Sequence, residues 1–348
     1  MIKFSYPDHP FIIAEMSGNH NQSLDRALEM IEIAANAGAD AVKLQTYTAD
    51  TITINHDGPE FLVDLPLWKG RKLYDLYQEA HTPWDWHKPM FDKARDLGIT
   101  IFSSPFDETA VDLLEGLGAP LYKIASFELV DLPLIKYVAQ THKPMIMSTG
   151  MATLEEIRDA VEVAQSGGCP DITLLHCVSA YPAPVEQTNL ATMVALKKYF
   201  PDIRIGLSDH SMGTDVPVTA VALGAQVIEK HFTIARADGG VDSAFSLEPY
   251  ELKELCEVTK GVTEETPLLE KAIGVIDFEK EKESSGRAYR PSLYVVRDVK
   301  KGEIFSCDNV RSVRPANGLP PKELDNILGK KAVRDLKFGE PLQKDMIL

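Results

Sequence analysis

Two histidines, two lysines and three carboxylates stand where a chain would need them to hold a small anion beside a metal ion. His210 closes the run RIGLSDH and His231 stands next to last in VIEKHF. If these runs are neighbouring strands, their imidazoles project side by side and suit one divalent cation. Two neutral ligands leave coordination positions open, which favours catalysis over a closed structural site. With no cysteine ligand in the set and carboxylates nearby, Mn²⁺ or Mg²⁺ is at least as suitable as Zn²⁺. Taken singly, each His reads as an ordinary half-buried residue; the adjacency is what points to metal.

Lys43 in AVKLQ and Lys123 in LYKIAS are flanked by apolar residues, and a buried ammonium needs an anionic partner. Two partners remain open: an internal acid, Glu15 or Glu128, or a bound anion. Ser103, Ser104, Ser126, Ser148, Thr149 and Ser208 crowd the same run ends and suit the oxygens of a phosphate or carboxylate. Glu15, Glu128 and Asp242 offer carboxylates to orient a polyol or activate water. Asp209, between Ser208 and His210, is placed to support a ligand from behind. His176–Cys177 resembles a nucleophile pair, but neighbouring strand residues face opposite ways, so Cys177 is read as core. The chain holds no GxGxxG and no Walker loop, so nucleotide binding lacks support.

The elements that position these groups recur with a regular beat. Apolar runs at Phe11–Glu15, Ala41–Gln45, Thr100–Pro105, Leu121–Ser126, Met145–Gly150, Ile172–Cys177, Arg204–His210 and Val227–Phe232 have the length of buried strands. Helix-length amphipathic segments separate them. Asp25–Gly38 carries Ala27, Met30, Ile31 and Ala34 on one face, and Thr153–Gly168 opens on a Thr153–Glu156 capping box. Eight such βα units predict a (β/α)8 TIM barrel, whose reactive groups gather where the strands end. One connection, Tyr47 to Ala80, is far longer than an ordinary βα loop. Its Trp68, Tyr74 and Tyr77 predict an ordered, functional loop.

The domain plan is a catalytic barrel over 1–275, a charged linker over 276–288 and a small β-rich domain over 289–348. The tail contains an internal echo, VKKGEIFSCDNV against LKFGEPLQKDMI, which reads as a repeated hairpin-like unit. A domain of that size buries a marginal core, so it is expected to dock on its own barrel or on that of a second subunit. A net charge of −16 and a pI near 5.0 argue against nucleic acid and anionic membranes as partners. No apolar run approaches the roughly 18 residues of a membrane span, and no signal peptide is read. Four cysteines without a CxxC pair fit a reducing, cytoplasmic location.

These residues resemble the sialic acid synthase family along the whole chain. The motifs that carry the resemblance are AEMSGNHN, AVKLQT, YKIASFE, MSTGMA, GLSDH and EKHFT, with KKGEIFSCDNVRSVRPANG in the tail matching the family's antifreeze-like, or SAF, domain of β-clip type. EMSGNH, LYDLYQEAHTPWDWHKPMFD and RADGGVDSAFSLEP are similar to the pseudaminic branch. The resemblance implies condensation of phosphoenolpyruvate with an open-chain acetamido sugar, giving a nine-carbon 2-keto acid and phosphate with cleavage of the C–O bond. In that branch the acceptor is 2,4-diacetamido-2,4,6-trideoxy-L-altrose; N-acetylneuraminic or legionaminic acid synthesis is the alternative. It further implies that His210 and His231 bind the divalent metal, and that Lys43, Lys123, Ser126 and Ser208 contact phosphoenolpyruvate, with Ser104 on the substrate side at a position that is Thr in sialic-type members. Ser179 stands where sialic-type members have Asn. Glu15, Glu128, Tyr181 and Asp242 lie near the sugar, with Glu15 or Glu128 as the base. Arg314 is expected to enter the other subunit's barrel in a domain-swapped homodimer. A metal-dependent hydrolase on the same barrel would need more metal ligands than two His. An ice- or carbohydrate-binding tail fits an Arg-bearing, non-repetitive surface poorly.

Overall fold

The structure is a computed structural model that describes residues 5–263, 265–278 and 284–348. Eight parallel strands close on themselves in sequence order: β1 (Phe11–Glu15), β2 (Ala41–Thr46), β3 (Thr100–Pro105), β4 (Tyr122–Ile124), β5 (Met145–Ser148), β6 (Ile172–Cys177), β7 (Arg204–Asp209) and β8 (Val227–His231). β1 pairs with β8 through Phe11–Val227 to Glu15–His231, which shuts the barrel. All eight expected strands exist, with shorter ends at several: β4 spans only Tyr122–Ile124, and His210 stands one residue beyond β7.

Strand alternation explains the site. Phe11, Ile13, Ala41, Phe102, Leu121, Ile146, Leu175 and Val227 pack together inside the barrel. Two residues further along the same strands stand Glu15, Lys43, Ser104, Lys123, Ser148, Cys177 and Glu229. Because alternate residues share a face, the inward row of each strand is apolar at the bottom and polar at the top. The outward row, including Ile12, Val42 and Leu174, packs against the helices. Gly206 lets β7 and β8 close up, since a Cβ there would lie 2.1 Å from Val227 O.

The helices form for local reasons. Leu24–Ala37 is capped by the Ser23 side chain, which accepts from Arg26 N, and ends at Gly38 with φ 87°. Leu154–Ser166 has the expected capping box between Thr153 and Glu156. The long connection after β2 is ordered as four short helical pieces, Ala49–Ile52, Pro59–Phe61, Pro66–Trp68 and Leu73–Ala80.

The tail has its own core of Leu293, Val295, Val299, Phe305, Val310, Leu319, Ile327, Ala332, Leu336 and Leu342. Its sheet is one antiparallel pair, β9 (Ser292–Val295) with β10 (Val310–Val313). The repeat forms a pair of matching turns rather than two separate hairpins. Val299 and Leu336 exchange backbone hydrogen bonds of 3.0 and 2.8 Å. Each Lys-x-Gly-Glu segment then folds identically: Lys300 N donates to Glu303 Oε2 (2.9 Å) and Lys337 N to Glu340 Oε1 (2.7 Å). Part of the expected linker, 279–283, lies outside the described residues.

The tail docks on the loop after β2, where Ile54, Phe61, Val63, Leu73 and Leu76 pack with Tyr289, Tyr294 and Val313. Arg290 reinforces the contact, reaching Glu156 Oε1 at 2.9 Å and Met151 O at 3.0 Å. No helix among the described residues is long and apolar enough to cross a membrane.

Candidate active site

The strand ends open into a cavity of about 170 Å³. Lys43, Lys123, Ser126, Ser208, His210 and His231 line it from the barrel, Tyr181 and Asp242 from the loops, and Arg314 from the tail. Glu15, Glu128 and Ser179 stand behind that lining, against Lys43, Arg314 and Cys177, and Ser104 is buried on β3.

The lysines meet an acid that sequence reasoning missed. Glu229 of β8 is buried, and its Oε1 lies 2.8 Å from Lys43 Nζ and 3.5 Å from Lys123 Nζ. Lys43 also reaches Glu15 Oε2 at 3.2 Å, and Ser208 Oγ donates to Glu229 Oε1 at 3.1 Å. Glu128, one of the two acids expected to pair with a lysine, is engaged elsewhere. The missed signal was in VIEKH: with His231 facing inward, the residue two before it must do the same.

Burial sets the protonation of this cluster. It raises Glu15 to about 7 against the pull of Lys43. For Glu229 burial also pushes upward, but Lys123 and Lys43 outweigh it and hold the carboxyl at about 2. Burial lowers Lys123 to about 8, with Glu229 resisting. Lys43 is likewise pushed down by burial, but Glu15 and Glu229 prevail and its ammonium rises above the ordinary lysine range. With Glu15 protonated, two ammoniums face one carboxylate, leaving a net positive charge for an incoming anion. Hydroxyl donors complete the pocket. Ser104 Oγ and Ser148 Oγ are buried without hydrogen-bond partners among the described residues. The MSTGM turn brings Gly150 against Ser126 and Ser179. A Cβ at Gly150 would lie 2.3 Å from Ser126 Cβ and 3.0 Å from Ser179 Oγ, at φ +37°.

Across the cavity the two imidazoles stand 5.3 Å apart between ring centroids. His210 Nδ1 donates to Val178 O at 2.8 Å, which in the neutral ring leaves the Nε2 lone pair for a metal ion. Burial, then His210 and Lys43, hold His231 well below the usual histidine range, so it is neutral. Its Nδ1 is buried without a hydrogen-bond partner, 3.8 Å from Asp242 Oδ2. No group of three or more His, Cys, Asp or Glu among the described residues forms a ready metal cluster. The donor set therefore fits a two-imidazole site whose other positions are filled by water or substrate, and fits a closed structural site poorly.

A polar chain runs along one wall. Gln45 Nε2 donates to Glu15 Oε1 (2.8 Å) and to Ser17 Oγ (3.1 Å), and Ser17 Oγ donates to Asp242 Oδ2. The Tyr181 ring lies over His210 at 4.4 Å, with Trp68 5.6 Å away on its own loop. Trp68 Nε1 donates to Val241 O at 3.1 Å, tying the long loop across the mouth. Tyr77 also lines the cavity, whereas Tyr74 is turned away to Asp50. Cys177 is buried as expected but sits on the cavity wall, its Sγ 3.9 Å from His210 Nδ1. His176 points behind the wall to Thr188 O at 2.7 Å, so the two do not act together.

Arg314 reaches in from the tail. Its Nε and Nη2 donate to Glu128 Oε1 at 2.8 and 2.5 Å, and Nη1 donates to Tyr77 OH at 3.0 Å. The guanidinium lies 4.5 Å from the Phe127 ring. Burial lifts Glu128 above the usual carboxylate range even against this partner. Within the single chain described, Arg314 enters the mouth of its own barrel. The local reason is an anchor on the long loop: Arg314 N donates to Ile52 O (3.0 Å) and Thr53 Oγ1 donates to Arg314 O (2.8 Å).

Comparison with known proteins agrees with this architecture. The pattern of the NeuB family matches residues 30–267, and that of the SAF domain matches residues 290–348. The chain is 45% identical to a pseudaminic acid synthase of Campylobacter jejuni (strain 81-176), over 96% of this chain and 95% of that one. It is 44% identical to a pseudaminic acid synthase of Helicobacter pylori, over 97% and 98%. The crystal structure of the spore coat polysaccharide biosynthesis protein SpsE from Bacillus subtilis superposes with a TM-score of 0.84 at 35% identity, covering 100% of this chain and 98% of that one. A barrel followed by a SAF domain is thus shared at full length, and the chain belongs to the NeuB family.

Proposed function

We propose that this protein condenses phosphoenolpyruvate with 2,4-diacetamido-2,4,6-trideoxy-L-altrose and water, forming pseudaminic acid and phosphate. What supports the reading most is 44–45% identity to three pseudaminic acid synthases over nearly the whole chain. The cavity chemistry agrees. Lys43, Lys123 and the hydroxyls of Ser126, Ser148 and Ser208 hold the phosphate and carboxylate of phosphoenolpyruvate. Val63, Leu65, Leu76 and Val241 line the outer cavity. They suit a sugar with a C6 methyl and two acetamido methyls better than a fully hydroxylated one.

His210 and His231 would hold the divalent ion, Mn²⁺ or Mg²⁺, whose chemistry is polarisation of the sugar aldehyde. The residues of the chain align C3 of phosphoenolpyruvate with that aldehyde carbon, and such positioning is worth several kcal/mol. A C–C bond forms, C2 becomes electron-poor, water adds there, and phosphate leaves with its C–O bond cut. One proton of the water ends on the new sugar hydroxyl and the other on phosphate. Glu15 is the carboxylate placed to take and release that proton, because Glu128 is held by Arg314. Asp242, Tyr181 and Arg314 border the acceptor side. The reading includes a homodimer in which tails complete partner barrels; the buried Arg314–Glu128 contact is the one such an exchange would preserve.

The test is phosphate release and product analysis with each acetamido sugar supplied beside phosphoenolpyruvate. The altrose sugar is expected to turn over. Turnover of N-acetylmannosamine without the altrose sugar overturns the proposal. Label placed in the bridging oxygen should leave with phosphate; label retained in the sugar acid refutes C–O cleavage.

A further inference from the structure

Behind the two imidazoles, on the outer face of the barrel, lies an ion pair that the reaction does not use. Lys230 Nζ lies 2.5 Å from Asp209 Oδ2, and Lys230 and Asp209 are 1% and 3% exposed. Lys230 stands between Glu229 and His231, and Asp209 stands immediately before His210. Strand alternation sends these two charges outward while their neighbours face the cavity. The same two residues are also register partners, the last paired rung between β7 and β8.

The pair is tied into a knot around His210. Ser211 N donates to Asp209 Oδ1 at 3.0 Å, Ser211 Oγ donates to Asp209 Oδ2 at 2.8 Å, and Lys230 Nζ donates to Ser211 O. The residues on both sides of His210 are therefore fastened to one ammonium carried by the strand of His231. His210 itself is held from the other side, where Ala183 N donates to its carbonyl at 3.0 Å. A buried ion pair contributes little net stability compared with an apolar replacement of the same volume. Its cost is better explained by what it fixes: the offset between two strand ends whose next residues are the imidazoles.

We propose that Lys230 and Asp209 are positioning residues that set the spacing of His210 and His231 for a shared divalent ion. This rests on the reading of that histidine pair as a metal site. Among the described residues no hydrogen bond joins the pair to either imidazole; it acts through the backbone of the two strand ends. Its closeness to the rim explains why two ligands can suffice, since their geometry is fixed before the ion arrives.

The test is Mn²⁺ titration of the full chain without substrate, read by the electron paramagnetic resonance of free Mn²⁺. The variants are Asp209→Asn, Lys230→Met, the double variant, and Ser211→Ala. The double variant removes both charges together and is the one expected to fold; Ser211→Ala removes only one hydroxyl donor and is the mild case. Mn²⁺ affinity is expected to fall about 10–100-fold in the double variant, the usual effect of losing a residue that orients metal ligands. Ser211→Ala should shift it in the same direction by a smaller factor, while phosphoenolpyruvate binding measured in chelator stays at the parental value. Parental Mn²⁺ affinity in every variant that folds overturns the inference. A parent protein that binds no Mn²⁺ overturns the metal reading beneath it, and so the two failures are told apart.

Discussion

Replacing Glu15 by Gln should make the protein more stable at alkaline pH and remove the acid limb of its activity. The carboxyl is buried and its pKa rises from 4.5 to about 7. At about 1.4 kcal/mol per pH unit, ionising it inside the fold costs about 3 kcal/mol relative to the unfolded chain. A folded-state pKa above the unfolded one means that full stability is present below pH 4.5 and is lost between pH 4.5 and about 7. Glu15→Gln cannot ionise, so it escapes that loss. With an unfolding entropy of about 2.1 cal/mol/K per residue over 348 residues, about 3 kcal/mol corresponds to about 4 °C. Parent and variant should melt together near pH 4.5 and separate by about that amount at pH 8, the variant higher. Activity should move oppositely. The parent's kcat/KM should rise through pH 7 as Glu15 ionises and fall above pH 8 as Lys123 loses its proton. The variant should lose most of its rate and the lower limb. Melting curves that run parallel from pH 4.5 to 8, or a variant that keeps the limb near 7, would refute both the carboxyl's raised pKa and its role as base.

Glu229→Gln leaves two buried ammoniums facing each other, and breaking such a pair typically costs about 3–5 kcal/mol. Denaturation should show a loss of that order, with the alkaline limb of activity moved to lower pH; parental stability would contradict the pairing. Gly150→Ala drives a Cβ into Ser126 at a left-handed backbone position. It should lower kcat/KM for phosphoenolpyruvate about 10–100-fold while circular dichroism stays parental, and an unchanged value would remove Ser126 from the anion pocket. Mixing Arg314→Ala with His210→Ala chains tests where the tail docks. If tails complete partner barrels, random pairing restores about a quarter of the sites; no recovery after proven subunit exchange supports insertion into the same chain's barrel.

Which parts were legible from the residues follows from range. Strand runs, the Thr153–Glu156 box and the Gly38 cap depend on neighbours within one turn or one strand, so they were readable locally. So was the inward row that carries Lys43, Lys123 and His231, because alternation is a local rule. The partners of those groups were not. Lys43 sits on β2 and Glu229 on β8, on either side of β1, and only closure of the barrel brings them to 2.8 Å. Glu128 was one of the partners open to the lysines, and the fold gives it instead to the tail's Arg314, a contact spanning 186 residues. The Lys230–Asp209 pair depends on the register between β7 and β8. Local sequence thus determined which residues face the cavity and which elements carry them. Tertiary structure alone decided which charge answers which, because in a closed sheet that choice is made by register and closure between distant strands.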